Sequence, residues 1–444
     1  MHVSVPSAQS ADRATASQAY RENRARTRHL FDLLDPAAYY TRPIALRNPI
    51  VFYEGHLPAF NAIAFLERGL GQPPIDRRLE HLFGRGIDPA SAETAVPRSG
   101  ARTIWPRRDE VLAFADAVDA AFLAALNQAS LDDPDAIEGL HTALEHEAMH
   151  QETLLYMWRQ VPYHWKTTVQ QGSPRTAESE WRTADGGQRT PDSGPRTADG
   201  AQRTATRVRI PAGHATLGAD RSRVLFGWDN EFDRHIVHVE AFEIDVHDVT
   251  NGEYLRFVQQ GGNVPAFWTR KDTAWFWKGM FEEIPLPLDW PVYVAQQDAA
   301  AYARWAGRRL PSEAEYHRAA FATPSDDERQ FPWGDAPPDP SRGNFDFGRW
   351  EPAAIGSYPA GVSAWGIHDL MGNGWEWTST TFAPFAGFVA MRSYPEYSAE
   401  FFDGAHVVLK GASPATALML LRRSFRNWFR PNYPFVYASF RTVA

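Results

Sequence analysis

The chain has 444 residues, a net charge of −9, 16 Trp, 15 Tyr, 27 Phe and no Cys. That length exceeds one ordinary core and predicts two or three domains. The lack of Cys excludes disulfides, thiolate metal sites, iron–sulfur clusters and a Cys nucleophile. The acidic balance argues against nucleic acid or an anionic membrane as the main partner. No apolar run approaches the roughly 20 residues that cross a bilayer. The N-terminal stretch has no apolar centre of the kind a secretory signal carries, so a cytoplasmic protein is expected. Oligomeric state leaves no mark on the sequence.

Residues 1–14 read as a disordered arm, and residues 15–165 as mostly helical. SQAYRENRARTRHLFDLL, FNAIAFLERGL, RRDEVLAFADAVDAAFLAALNQA and DAIEGLHTALEHEAMHQETLLYMWRQV repeat apolar residues at three- and four-residue intervals. Pro106 and Asp109, and then Asp132 to Asp135, mark the starts of the third and fourth helices. Four such helices predict an up-and-down bundle. Residues 166–206 are rich in Ser, Thr, Gly, Pro and charge, and RTADGGQRT recurs there as RTADGAQRT. That composition predicts a flexible linker. From Arg207 onward, short β-rich runs alternate with Gly/Pro turns, and 12 of the 16 Trp lie in this part. A compact α+β domain with long loops is expected, giving a two-domain α plus α+β chain.

The most informative string is His146-Glu147-Ala148-Met149-His150-Gln151-Glu152. Two His four apart on a helix project from one face, and two imidazoles so placed can share a metal ion. With 15 His in the chain, such a pair also arises on an ordinary helix face. The same string spells the zinc-peptidase pattern, in which Glu147 would be the general base. His56, placed just before an amphipathic helix, is the candidate third ligand. Three imidazoles leave positions open for substrate and suit redox-active iron as well as zinc.

With Gly55-His56-Leu57 and the H-x-x-x-H-x-E run in the first part, the second part adds four further motifs. They are FGWDNEFDRHIVHVEAFEIDVHDVTNGEYLRFV (226–258), YARWAGRRLPSEAEYHRAA (302–320), GIHDLMGNGWEWTST (366–380) and SFRNWFRP…YASFRT (424–442). In this order they resemble the ergothioneine-type sulfoxide synthases, a DinB-like bundle followed by a formylglycine-generating-enzyme-like domain with a modified C-type-lectin-like fold. The resemblance implies a mononuclear non-haem Fe(2+) on His56, His146 and His150. It also implies O2-dependent attachment of a chalcogen to C2 of the imidazole of hercynine. Formylglycine-generating enzymes themselves work through cysteines, and this chain has none. Trp375, Trp377 and Trp428 are candidates to hold the trimethylammonium group by cation–π contact, and Asn427 to make a polar contact to the acceptor. Asn373, Glu376 and the run Asp229, Asn230, Glu231 look structural. Arg98, Arg102, Arg107 and Arg108 could meet an anionic donor group.

The departures from the family pattern bear on the donor. Relatives that use γ-glutamylcysteine typically follow the RNW motif with Asp and, four residues later, Arg; here Phe429 and Tyr433 stand there. The residue before the second His of the helix motif is Met149 where relatives often carry Gln. The Tyr-Pro-Gly-Phe string whose Tyr serves as proton donor is here Phe385-Ala386-Gly387-Phe388, and Phe has no proton to give. Tyr394 and Tyr397 are the candidate replacements. A neutral aromatic donor pocket of Phe385, Phe429 and Tyr433 suits a sugar, so the chain resembles the selenoneine synthases, which join selenium from a selenosugar to hercynine. An ergothioneine-type synthase using a thiol donor is the alternative, and a zinc metallopeptidase a distant one.

Overall fold

The computed structural model describes residues 12–84, 104–167 and 206–444. The repeat, Arg98 and Arg102 lie outside them. Helix α1 (Arg13–Asp32) starts inside the segment expected to be an arm, because the Asp12 carboxylate accepts from the Ala14 and Thr15 amides and caps the first turn. Helix α2 (Ile50–Asn61) is followed without a break by a π-helical stretch, Ala62–Gly69. Then come α3 (Arg77–Phe83), α4 (Arg108–Gln128) and α5 (Pro134–Arg159). Asp133 caps α5, and Pro134 sits at its first position, where no amide partner is needed.

The expected helix over 60–70 is the second half of a longer one, and His56 lies in the middle of α2 rather than ahead of a helix. Every residue of α2 is buried. A helix buried all round has no polar face, so Glu54, His56 and Asn61 stand singly in a mostly apolar stretch with no 3.6 period to read. Pro58 within α2 disguises it further.

The second domain opens with β1 (Arg207–Ile210), β2 (Gly213–Leu217), β3 (His235–Val239) and β4 (Phe242–Asp245), which pair antiparallel as β1 with β4 and β2 with β3. Helix α6 (Asn251–Gln259) and a small sheet of β5 (Trp268–Lys271), β6 (Ala274–Lys278) and β7 (Glu283–Pro285) follow. Helices α7 (Gln296–Trp305) and α8 (Glu313–Phe321) precede the central sheet. That sheet is formed by β8 (Gly374–Thr381), β9 (Val407–Ala412), β10 (Asn427–Phe429) and β11 (Ala438–Ser439). Its order is β10-β9-β8-β11, antiparallel except where β11 runs parallel to β8.

Long loops without strands need side chains to satisfy their backbone groups. Asn373 does this at φ +69°, bonding both the amide and the carbonyl of Ala353. Arg441 is fully buried; it pairs with Glu376 at 2.6 and 2.7 Å and donates to the carbonyls of Asp245, Val246 and His368. Arg426 of the RNW motif is held by Glu313 and the carbonyls of Asn230 and Ala383.

One continuous apolar cluster runs from the bundle into the second domain. Buried charges sit across that junction. Glu152 of α5 accepts from the Trp375 indole and the Ser413 and Thr416 hydroxyls at 2.8, 2.8 and 3.0 Å. Arg422 is shared between Glu145 of α5, at 2.8 and 2.9 Å, and Glu231. Breaking a buried pair leaves an uncompensated charge, typically at about 3–5 kcal/mol, so these contacts fix α5 against the second domain.

Candidate metal centre

His146 and His150 lie one turn apart on α5, and His56 faces them from α2. One ring nitrogen of each falls within 4.8 Å of those of the other two, and no other group of three or more His, Asp or Glu does so among the described residues. The ring centroids are 4.4 to 5.0 Å apart. The imidazole planes are set by packing. Phe52 stacks on His56 at 5.0 Å, and Phe60 on His146 at 3.5 Å. The Nδ1 of His56 donates to the Phe83 carbonyl at 2.7 Å, which leaves Nε2 as the free lone pair. Gly55 makes this possible: a Cβ there would sit 2.4 Å from the Phe83 ring.

Nε2 of His56, both nitrogens of His146 and Nδ1 of His150 are buried without a hydrogen-bond partner. A buried unsatisfied polar atom costs about 1–3 kcal/mol, and a shared cation removes that cost. Burial pushes the His56 imidazole down to about 4. It also pushes His146 and His150 well below the usual value, reinforced by the neighbouring imidazoles. All three are therefore neutral near pH 7, the state a metal ligand requires. An all-nitrogen set of three fits iron or zinc and leaves coordination positions free for exogenous ligands.

Glu147 does not face this centre. Its carboxylate accepts from Arg24 at 2.9 Å, Thr27 at 2.6 Å and Asn61 at 2.7 Å, and is 1% exposed. A carboxylate held by three donors away from the imidazoles is no general base, so the zinc-peptidase reading of the helix motif is overturned.

The aromatic residues divide. Tyr394 lies edge-on to His146 at 5.9 Å and to Phe60 at 4.9 Å. Tyr397 lies 5.6 Å from Tyr394, stacks on Trp228 at 3.9 Å, and donates its hydroxyl to Met149 Sδ at 3.4 Å. Trp428 is half-buried among Tyr397, Phe382 and Phe401, while Asn427 beside it accepts the Trp428 amide with its own side chain. Trp375 and Trp377 are not available as lining. Both are buried, with the indole of Trp377 donating to the Val294 carbonyl and that of Trp375 to Glu152.

The expected neutral donor pocket also needs correction. Phe429 and Tyr433 do stack, at 5.2 Å and 10°. Phe385 is elsewhere, packed on His235 and under Arg426. In its place stands Arg47, from the segment before α2. It donates to the hydroxyls of Tyr433 at 2.9 Å and Tyr156 at 2.6 Å and lies over both rings. Sequence reasoning missed it because a lone Arg ahead of an apolar run reads as solvated. Arg107 and Arg108 meet acidic side chains instead, Asp109 and Glu54 respectively.

A histidine centre in a helical bundle, closed by a loop-rich mixed domain, defines a two-domain class. The DinB superfamily model matches residues 19–154, and the sulfatase-modifying factor enzyme 1-like domain model matches residues 193–444. The chain is 31% identical over 457 residues to the hercynine oxygenase of Mycolicibacterium thermoresistibile, covering 97% of this chain and 94% of that one. It is 39% identical over 251 residues to the hercynine oxygenase of Mycolicibacterium smegmatis, with 51% of this chain and 58% of that one covered. The formylglycine-generating enzyme of Mycobacterium tuberculosis matches 40% of this chain at 30% identity, covering 74% of its own length. The chain belongs to the ergothioneine-type sulfoxide synthase family. Among the described residues no helix is long and apolar enough to cross a membrane.

Proposed function

We propose that this protein is an iron-dependent enzyme joining a chalcogen to the imidazole C2 of hercynine at the expense of O2. The observation that carries this reading is the cluster of His56, His146 and His150, whose unpartnered nitrogens converge at the junction of the two domains. An Fe(2+) bound there supplies redox chemistry with O2 and a common point for donor and acceptor. The residues around it do the rest. Trp428 and Tyr397 offer π faces for the trimethylammonium group, and Asn427 a polar contact beside them. Burial keeps the phenols of Tyr394 and Tyr397 protonated far above neutral pH. Each phenol therefore keeps its proton near neutral pH, and Tyr394, whose ring lies against His146, is the one placed to pass it to a more basic atom at the reacting centre. The matching relatives named hercynine oxygenases support hercynine as acceptor.

For the donor we favour a selenosugar. The stacked Phe429 and Tyr433 give a flat apolar face for a sugar ring, and the Arg47 guanidinium, held by the Tyr433 and Tyr156 hydroxyls, puts a positive charge at the edge of that face for a polar group of the donor. Arg47 also supports a second reading, a thiol donor bearing a carboxylate, because a partly buried cation attracts an anion. A competition assay separates them. Iron-loaded protein, O2 and hercynine are given a selenosugar, a thiosugar, cysteine and γ-glutamylcysteine together, and products are quantified by mass spectrometry. Preferential consumption of the selenosugar is expected. Preferential turnover of γ-glutamylcysteine refutes the donor assignment, and no turnover of hercynine with any donor refutes the reaction.

A further inference from the structure

Residues 392–397 of the second domain lie along a single stripe of α5. Arg392 meets Asp135 at 2.5 Å, Ser393 meets Glu138 and Thr142, Tyr394 packs on His146, and Tyr397 bonds Met149. The α5 positions 135, 138, 142, 146 and 149 advance by three or four residues, so they form one line on the helix and end at the metal centre.

Ser393 is the best-anchored residue of this strap. Its amide and hydroxyl both donate to one Glu138 oxygen, at 2.7 and 2.8 Å. Its hydroxyl also meets the Thr142 hydroxyl at 2.8 Å, and its carbonyl accepts from Arg68 at 2.7 Å. Ser393 is 3% exposed and Thr142 is fully buried. Every one of these partners belongs to the bundle, whereas Ser393 belongs to the second domain. The residue that follows is Tyr394.

We infer that Ser393, gripped by Glu138 and Thr142, is a positioning residue that fixes the register of the strap and so delivers the Tyr394 phenol to the His146 side of the centre. The inference rests on the role given above to Tyr394. Apolar contact alone would let the strap slide along the stripe, since aromatic rings pack on many registers. Four polar bonds converging on one residue, two of them on its hydroxyl, admit only one.

The test uses the full-length iron-loaded protein and the variants Ser393→Ala, Ser393→Thr, Glu138→Ala and Tyr394→Phe. Ser393→Ala should lower kcat about tenfold or more, since misplacing a reacting group by about 1 Å can cost up to ~100-fold. KM for hercynine and bound iron should stay within about twofold of the parent. Ser393→Thr, which keeps the hydroxyl, should restore kcat, and Glu138→Ala, which removes the acceptor, should behave like Ser393→Ala. Amide hydrogen exchange over residues 392–397 should accelerate at least tenfold in Ser393→Ala, a readout independent of turnover. Parent-like kcat and exchange in Ser393→Ala overturn the proposal. Full activity in Tyr394→Phe shows instead that the role of Tyr394 is wrong; the positioning proposal then falls with it, even if the strap has loosened.

Discussion

Glu147 gives the sharpest test of how this centre is built. In the peptidase reading its carboxylate works on water; in the structure it holds Arg24, Thr27 and Asn61. Replacing it by Gln removes the charge facing Arg24, which keeps only Asp119, at 2.8 Å. The new amide also turns one donor toward another. Asn61 can relieve that clash by rotating its amide, because its own Oδ1 has no partner. The cost is therefore mainly the weakened buried ion pair, about 2 kcal/mol for Glu147→Gln and about 3–5 kcal/mol for Glu147→Ala, which removes the acceptor altogether. For a unit of the bundle's size this corresponds to a fall in Tm of roughly 4–8 °C for the Gln variant. Differential scanning calorimetry reads the shift. Turnover per iron-loaded folded molecule should stay within about twofold of the parent. An unchanged Tm with abolished turnover would refute the reasoning and restore the general-base role.

Two further outcomes follow from the same geometry. His150→Ala removes one of the three convergent nitrogens, so bound iron after dialysis should fall to a small fraction of the parent value and metal should no longer raise Tm; full iron retention by atomic absorption would exclude His150 as a ligand. Arg47→Met should raise the donor KM about tenfold and leave the hercynine KM unchanged, since Arg47 is bonded to Tyr433 of the donor-side stack. Equal donor KM values in steady-state kinetics would show that the donor lies elsewhere.

Much of the bundle was legible because α1 and α4 each keep one solvated face, which writes a helical period into the sequence. Helix α5 is buried along almost its whole length, but its polar residues, taken up by partners such as Arg24, Trp375 and Arg422, still alternate with apolar ones at helical spacing, and the spacing of His146 and His150 followed from that. Helix α2 kept no such face, and its apolar run with an internal proline hid the fact that His56 lies mid-helix. The motifs of the second domain were legible as a set. Their individual roles were not, because a buried Trp and a lining Trp are the same letter. Trp375 and Trp377 are sealed by Glu152 and Val294, whereas Trp428 stays half-open.

The sequence by itself determined a chain without thiol chemistry, a helical part carrying paired imidazoles, and a Trp-rich mixed domain after it. These properties depend on composition and on contacts within a few residues, which local spacing records. The tertiary structure alone decided which side chains meet. It turned Glu147 inward, carried Phe385 away from Tyr433, brought Arg47 to Tyr433 across 386 positions, and laid Ser393 on Glu138 across 255. Such pairings are set by how helices pack in the bundle, how loops fold in the second domain and how the two dock, and no period in the sequence encodes that.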